Sequence, residues 1–282
     1  MTEIVPDYYK DFACLKGECR HTCCSGWEID IDAESAVRFR SYGAYMDGKA
    51  DLTPGMEHFI NRADGNCPFL SCDGLCQMIL DKGEGSLCEI CALHPRFRNF
   101  FEDHIETGLG LCCEAVGKIL FSRKEPVHYV DATDGKDSQQ AEETEKIVSE
   151  ITGEMELIPS ENIDWDSWAE FFLSLERMDD AWTVLLEKLR RKPDTPHFSG
   201  LFTAEWKERL DRLKEYLAYR HYPDCPNEFM EICWNLCIRL LDVTALEKEP
   251  EEEDLIEISR LFSSEIEYSD ENTGKVVAEL GY

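Results

Sequence analysis

Cysteine spacing constrains this chain more than any other feature. Eleven of its fourteen cysteines fall between Cys14 and Cys113, in the groups Cys14-x4-Cys19-x3-Cys23-Cys24, Cys67-x4-Cys72-x3-Cys76, Cys88-x2-Cys91 and Cys112-Cys113. In a small secreted protein such a density reads as a disulfide framework. This chain is 282 residues long, and Met1–Lys10 carries Glu3 and Asp7 with no apolar stretch, so a secretory signal is not expected and the cytoplasm is the expected compartment. Clustered thiols in a reducing compartment point to metal ligation. Thiolate sulfur is a soft ligand that selects zinc, copper(I) or iron–sulfur clusters. Short loops with Gly17, Gly26, Pro68 and Gly74 beside them suit the tight turns that bring such ligands together. The candidate ligands are Cys14, Cys19, Cys23, Cys24, Cys67, Cys76, Cys88, Cys91 and Cys112. Cys72 and Cys113 stay ambiguous. Spacing alone leaves zinc and iron–sulfur chemistry both open, because only Cys88 and Cys91 form a zinc-knuckle pair. The C-x3-C-x2-C spacing of radical S-adenosylmethionine enzymes is absent.

The remaining three cysteines read differently. Cys233 and Cys237 stand four residues apart on an apolar helix face, and with Cys225 they are expected to be core thiols.

The predicted fold is mainly α: a cysteine-rich metal-cluster domain over residues 1–128, a polar connector over 129–163 with a short helix from Ala141 to Thr152, and a helical region over 164–282 packed against the first. Trp168, Phe171, Phe172, Leu175, Trp182, Leu185, Leu186 and Leu189 recur at three- and four-residue spacing. They predict one long helix capped by Asp164 or Asp166 and stopped by Pro193. A second helix is expected from Thr203 to Tyr219, a third after Asp224, and a fourth through Leu255, Ile258, Leu261, Phe262 and Ile266, entered by the acidic run Glu247–Asp254. No strand alternation and no internal repeat stand out.

Charge narrows the possible partners. There are 29 Lys and Arg against 59 Asp and Glu, a formal net charge of −30, most of it after residue 128. Such a field repels nucleic acids and anionic membranes. No run of about 18 apolar residues exists to insert into a bilayer.

Met78-Ile-Leu-Asp81-Lys-Gly83-Glu-Gly85-Ser86 imitates the strand and glycine loop of a Rossmann methyltransferase. Leu87 replaces the third glycine, and Cys76 and Cys88 flank the segment. A glycine turn between two ligand groups is the simpler reading.

Several segments resemble the flagellin lysine-N-methylases. In the cysteine half these are Tyr8-Tyr-Lys-Asp-Phe-Ala-Cys14, Glu18-Cys-Arg-His-Thr-Cys23-Cys24-Ser-Gly-Trp27, Cys67-Pro-Phe-Leu70, Gly74-Leu-Cys76, Leu87-Cys-Glu-Ile-Cys91 and His94-Pro-Arg96. Leu111-Cys112-Cys113-Glu-Ala115 is similar to the family's Ser-Cys-Pro-Glu-Ala, which maps its cysteine onto Cys112. Tyr216-Leu-Ala-Tyr219-Arg220-His-Tyr222 and Ser264-Glu-Ile-Glu-Tyr268-Ser-Asp-Glu-Asn272 resemble its later segments. His94 stands where the family more often has Tyr, and Tyr268 where it often has His.

The resemblance implies methyl transfer from S-adenosylmethionine to lysines of flagellin, with a [4Fe-4S] cluster. Tyr216, Tyr219 and Arg220 become candidate catalytic residues, since aromatic faces hold cationic groups and an apolar slot lowers an amine pKa. Broader cysteine-cluster proteins share only the N-terminal half of the pattern. A non-enzymatic zinc or iron chelator and an iron–sulfur electron carrier are therefore the alternatives.

Overall fold

A computed structural model describes residues 2–159 and 162–282. The chain forms two compact units: Ala13–Pro95, and Met1–Phe12 with Arg96–Tyr282. The chain opens in the larger unit with strand β1 (Thr2–Pro6). It then builds the smaller unit from helix α1 (Ala33–Arg40), the short strands β2 (Ala50–Asp51) and β3 (His58–Phe59), helix α2 (Gln77–Lys82) and helix α3 (Glu89–Leu93). Back in the larger unit follow β4 (Arg96–Phe100), β5 (His104–Leu109), α4 (Glu114–Phe121), β6 (Tyr129–Asp131) and α5 (Gln139–Glu154). The rest is helical: α6 (Trp165–Ser174), α7 (Asp180–Arg191), α8 (Ala204–His221), α9 (Asn227–Ala245), α10 (Glu252–Phe262) and α11 (Asp270–Glu279). The mainly α expectation holds.

The divisions fall at 12/13 and 95/96 rather than at 128 and 163, and the reason is strand pairing. β1 lies between β5, parallel to it, and β6, antiparallel to it, while β4 and β5 form an antiparallel hairpin. The N-terminal strand is thereby hydrogen-bonded into the same body as the late helices. Residues 129–159 are likewise part of this body, through β6 and through α5, which Ser138 caps by accepting from Ala141 N. The sheet is a correction to the expected absence of strands. Ile4, Val5 and Pro6 are consecutive buried residues of β1, and Glu106–Leu109 of β5 are all buried. A strand covered on both faces loses the alternation by which a sequence announces it. In the hairpin Phe97 pairs with Gly108, and a Cβ on Gly108 would stand 2.2 Å from the Phe97 ring. The missing side chain is what lets Phe97 lie across the strand.

The long helix expected from 164 onward is two helices. Met178 N and Asp179 N donate to the carboxylate of Glu265, at 2.9 and 2.6 Å, instead of to helix carbonyls. Asp179 then caps α7 by accepting from Ala181 N, and it accepts from Arg260 as well. The apolar periodicity runs through the break because both helices face one core; Phe172, Trp182, Leu186 and Leu189 are all buried there. α8 and α9 occupy their expected places, and the acidic run does enter α10, through a reciprocal capping box between Glu251 and Asp254. After α10 the chain widens into a five-residue π-helical turn, Ser263–Glu267, before α11. Among the described residues no helix is long and apolar enough to cross a membrane.

The smaller unit has its own core, in which Phe39, Phe59, Phe69, Met78, Ile29 and Cys88 are buried. α1 starts at Asp32, whose Oδ1 accepts from Ser35 N while its Oδ2 accepts from Glu89 N, tying the start of α3 to α1. The Met78–Ser86 segment is helix, not strand, and turns at Gly83 with φ +84°.

Candidate thiol site and buried polar network

In the smaller unit, local structure gathers five cysteines from separate stretches. Cys67 N donates to the Cys24 carbonyl at 2.8 Å, which brings the second cysteine group against the first. An isolated bridge between Leu70 and Cys76 folds the 67–76 loop back on itself. Gly17 and Gly74 make the close approach between the two loops possible. A Cβ on Gly17 would stand 2.4 Å from the Asp73 carbonyl oxygen, and one on Gly74 would stand 3.0 Å from Gly17 Cα. Cys76 and Cys88 are the residues immediately before α2 and α3, where backbone N–H groups of the first helical turn donate to their sulfurs.

The charges of these thiols act on one another. Burial pushes the Cys67 thiol up to about 11, and the charges of Cys24, Cys76 and Cys88 add to it. Burial also raises Cys76, against backbone N–H donation from Ile79 and Met78. Cys91 shares a hydrogen bond with Cys88, which raises Cys91 and lowers Cys88. Hydrogen bonding from Cys23, and then from Thr22, brings Cys24 down to about 7 despite its burial. Cys24, Cys67, Cys76, Cys88 and Cys91 thus lie within mutual electrostatic reach, and none of them is in a disulfide. Among the described residues no three His, Cys, Asp or Glu side chains close around one point as a metal-ion site does. Cys14 is exposed and its sulfur accepts from Lys16 N at 3.3 Å. Cys19 follows the short turn Lys16–Glu18, and the Cys23 carbonyl accepts from the Trp27 indole at 2.9 Å. The donor set fits an iron–sulfur or zinc centre by chemistry, since it is made of soft thiols from several loops.

The larger unit holds Cys112, Tyr216, Tyr219 and Arg220. Whereas the Tyr219 hydroxyl turns to β1, Cys112, Tyr216 and Arg220 lie around a residue that sequence reasoning did not single out, Glu267. Its carboxylate accepts from the Tyr216 hydroxyl at 2.6 Å and pairs with His221 Nε2 at 2.8 Å. Arg220 Nη1 lies 3.6 Å from Glu267 Oε2 and 3.1 Å from the Tyr216 hydroxyl, while Nη2 donates to the Glu267 carbonyl at 3.0 Å. Burial opposes the charge on Glu267, but Arg220 and His221 outweigh it and hold the carboxyl at about 2. Burial also lowers His221, against the hydrogen bond and the charge of Glu267. The Tyr216 hydroxyl also accepts from Leu111 N at 3.1 Å, next to Cys112. Burial pushes the Cys112 thiol up to about 12, against a hydrogen bond with Tyr268 and the charge of Arg220. The Arg220 guanidinium carbon stands 4.8 Å from the centre of the Phe97 ring and 5.2 Å from that of Tyr268.

Tyr216 and Tyr219 are both buried, and burial raises both phenols well above their ordinary value. The Tyr219 hydroxyl donates to the Ile4 carbonyl at 3.0 Å, which joins α8 to β1. Tyr222, half-buried, donates to Glu106 at 2.7 Å. Cys233 and Cys237 are wholly buried in the α9 core, and Cys225 is half-buried with its sulfur 4.0 Å from His221 Nδ1. The one sequence signal for Glu267 was its place in the tail segment Ser264–Asn272. Its role depends on the π-helical turn, which no local pattern announces.

Over 131 residues, 43% of this chain, the sequence is 29% identical to a protein named lysine-N-methylase from Salmonella choleraesuis and 28% identical to one of the same name from Salmonella typhimurium. The chain spans 33% of the length of each of these relatives. It is also 28% identical over 131 residues to the flagellar biosynthetic protein FliU of Salmonella muenchen, covering 78% of that protein. No family model matches, and no solved structure does.

Proposed function

We propose that this chain is a protein-lysine N-methyltransferase that uses S-adenosylmethionine, takes flagellin as its substrate and carries a [4Fe-4S] cluster on the thiols of its smaller unit. The observation that carries the cluster is the gathering of Cys24, Cys67, Cys76, Cys88 and Cys91, as thiols, from three stretches of chain. The names of the relatives support the methyl transfer. Cys14, Cys19 and Cys23 of the same unit complete the ligand pool there. When bound, such a cluster supplies a Lewis-acidic iron for the amino and carboxylate groups of S-adenosylmethionine.

The chain's own residues have separate tasks. Tyr216, with its hydroxyl committed to Glu267, is a positioning residue, and so is Tyr219, whose hydroxyl holds β1. Arg220 fixes the rings of Phe97 and Tyr268 on either contact of its guanidinium and keeps a positive charge beside Cys112. A substrate lysine must lose a proton before its amine attacks, and aromatic, partly dry surroundings lower its pKa in the required direction.

The test is anaerobic purification followed by iron, sulfide and zinc analysis, and then transfer of labelled methyl groups to flagellin. Stoichiometric iron and sulfide with methyl incorporation support the reading. Zinc without sulfide and without methyl transfer would replace it with a metal chelator. A reversible cluster potential without affinity for S-adenosylmethionine would make the chain an electron carrier.

A further inference from the structure

Two tyrosines of the smaller unit form an open aromatic corner. Tyr42 and Tyr45 stand at the start and end of the short turn after α1, their rings nearly perpendicular at 85° with centres 6.3 Å apart. The corner is rigid. Tyr42 packs on buried Phe39 at 5.8 Å, Tyr45 stacks on buried Phe69 at 5.6 Å, and both belong to the rim of that unit's core. A carboxylate is fixed at its edge: Asp81 accepts from the Tyr45 hydroxyl at 3.0 Å and from the Gln77 amide at 2.7 Å. A cation already occupies the corner. Lys82 Nζ, at the exposed end of α2, sits 4.4 Å from the Tyr42 ring centre and 4.6 Å from that of Tyr45. A second ammonium, Lys49 Nζ, lies 4.4 Å from Tyr45 and 4.9 Å from Phe69.

Two perpendicular π faces with an anchored carboxylate make a site selective for cations of a particular kind. A primary ammonium keeps three strong donors that water solvates well, so an exposed aromatic corner holds it weakly. Methyl groups on the charged atom remove those donors, spread the charge and present apolar surface to the rings. Both the hydration cost and the ring contact then favour binding. Lys82 is an internal, weak occupant, kept there by its tether and displaced by a ligand the corner prefers. We infer that the Tyr42–Tyr45 corner is a binding site for a methylated onium cation, with Lys82 as its displaceable plug. A methylated lysine ammonium and a methylsulfonium share this chemistry. The inference does not rest on methyl transfer by this chain.

The experiment titrates the full chain with N-acetyl-trimethyllysine methylamide, with the unmethylated lysine amide and with trimethylsulfonium, following the tyrosine signals by NMR. The Lys82→Ala variant should bind the trimethyllysine amide at least fivefold more tightly than the unaltered chain, and at least tenfold more tightly than it binds the unmethylated amide. Combined with Lys82→Ala, Tyr42→Phe should stay within twofold, whereas Tyr42→Leu should lose at least tenfold. Trimethylsulfonium binding tighter than the ammonium would assign the site to a sulfonium cofactor; the reverse assigns it to a methylated side chain. Equal affinity for methylated and unmethylated lysine, or no gain on removing Lys82, overturns the inference. Neither measurement requires metal or turnover, so loss of methyl transfer leaves this test standing.

Discussion

Replacing Glu267 with Gln removes a charge while keeping the size of the side chain, and the consequence can be worked from the geometry. The carboxylate is buried and faces Arg220 at 3.6 Å, His221 at 2.8 Å and Tyr216 at 2.6 Å. At an effective dielectric near 20 the attraction to Arg220 alone is about 4–5 kcal/mol, and desolvation offsets part of it. The folded-state carboxyl is held at about 2 against an ordinary 4.5, which corresponds to roughly 3 kcal/mol of stability at pH 7. Breaking a buried pair by removing one partner costs about 3–5 kcal/mol in general, because the other charge is left uncompensated. E267Q is therefore expected to lose about 3 kcal/mol in urea unfolding followed by circular dichroism, and about 6–12 °C in Tm for a body of this size. The sign with pH follows from the depressed pKa. The contribution is complete above about 4.5 and disappears as pH falls toward about 2, so the gap between wild type and E267Q should shrink to roughly half by pH 3. Arg220→Met combined with E267Q should recover part of the loss, since no buried guanidinium then stands alone. A loss below about 1 kcal/mol at pH 7, or a gap that does not change between pH 7 and pH 3, would show that the network does not stabilise the larger unit as its geometry requires.

Further outcomes follow from other sites. Cys88→Ser and Cys67→Ser should each lose at least about half the iron and sulfide taken up on anaerobic reconstitution, because both thiols lie inside the gathered set; Cys233→Ser, in the α9 core, should retain it. Gly17→Ala drives a Cβ to within 2.4 Å of the Asp73 carbonyl, and should destabilise the smaller unit by about 1–3 kcal/mol with faster amide exchange around residues 67–76. Asp32→Ala removes the cap of α1 and the acceptor of Glu89 N. It should cost about 1–2 kcal/mol. Because hydrogen bonds from Glu89 and Ser35 overcome burial to hold that carboxyl at about 2, the cost should fade as pH drops below the ordinary aspartate range. Glu265→Ala leaves Met178 N and Asp179 N without their acceptor and should cost about 2–3 kcal/mol in the same unfolding assay.

The sequence by itself determined which residues face apolar surroundings and which chemistry the cysteines offer. Helical periodicity is local: it placed α8, α9 and α10, and it put Cys233 and Cys237 on a buried face, because side chains three and four apart share one side of a helix whatever surrounds it. The type of donor was equally legible, since sulfur is soft in any fold. Tertiary structure alone decided where continuous patterns stop and which distant groups meet. Glu265 breaks one apolar stripe into α6 and α7 by taking two amide protons from 87 and 86 residues away, and β1 is a strand only because β5 and β6 flank it. The π-helical turn aims Glu267 at Tyr216, Arg220 and His221, and the Gly17–Gly74 contact draws two cysteine loops together. These are pairings across long stretches of chain, and their free energy appears only once the partner is in place. No window of neighbouring residues carries a trace of it.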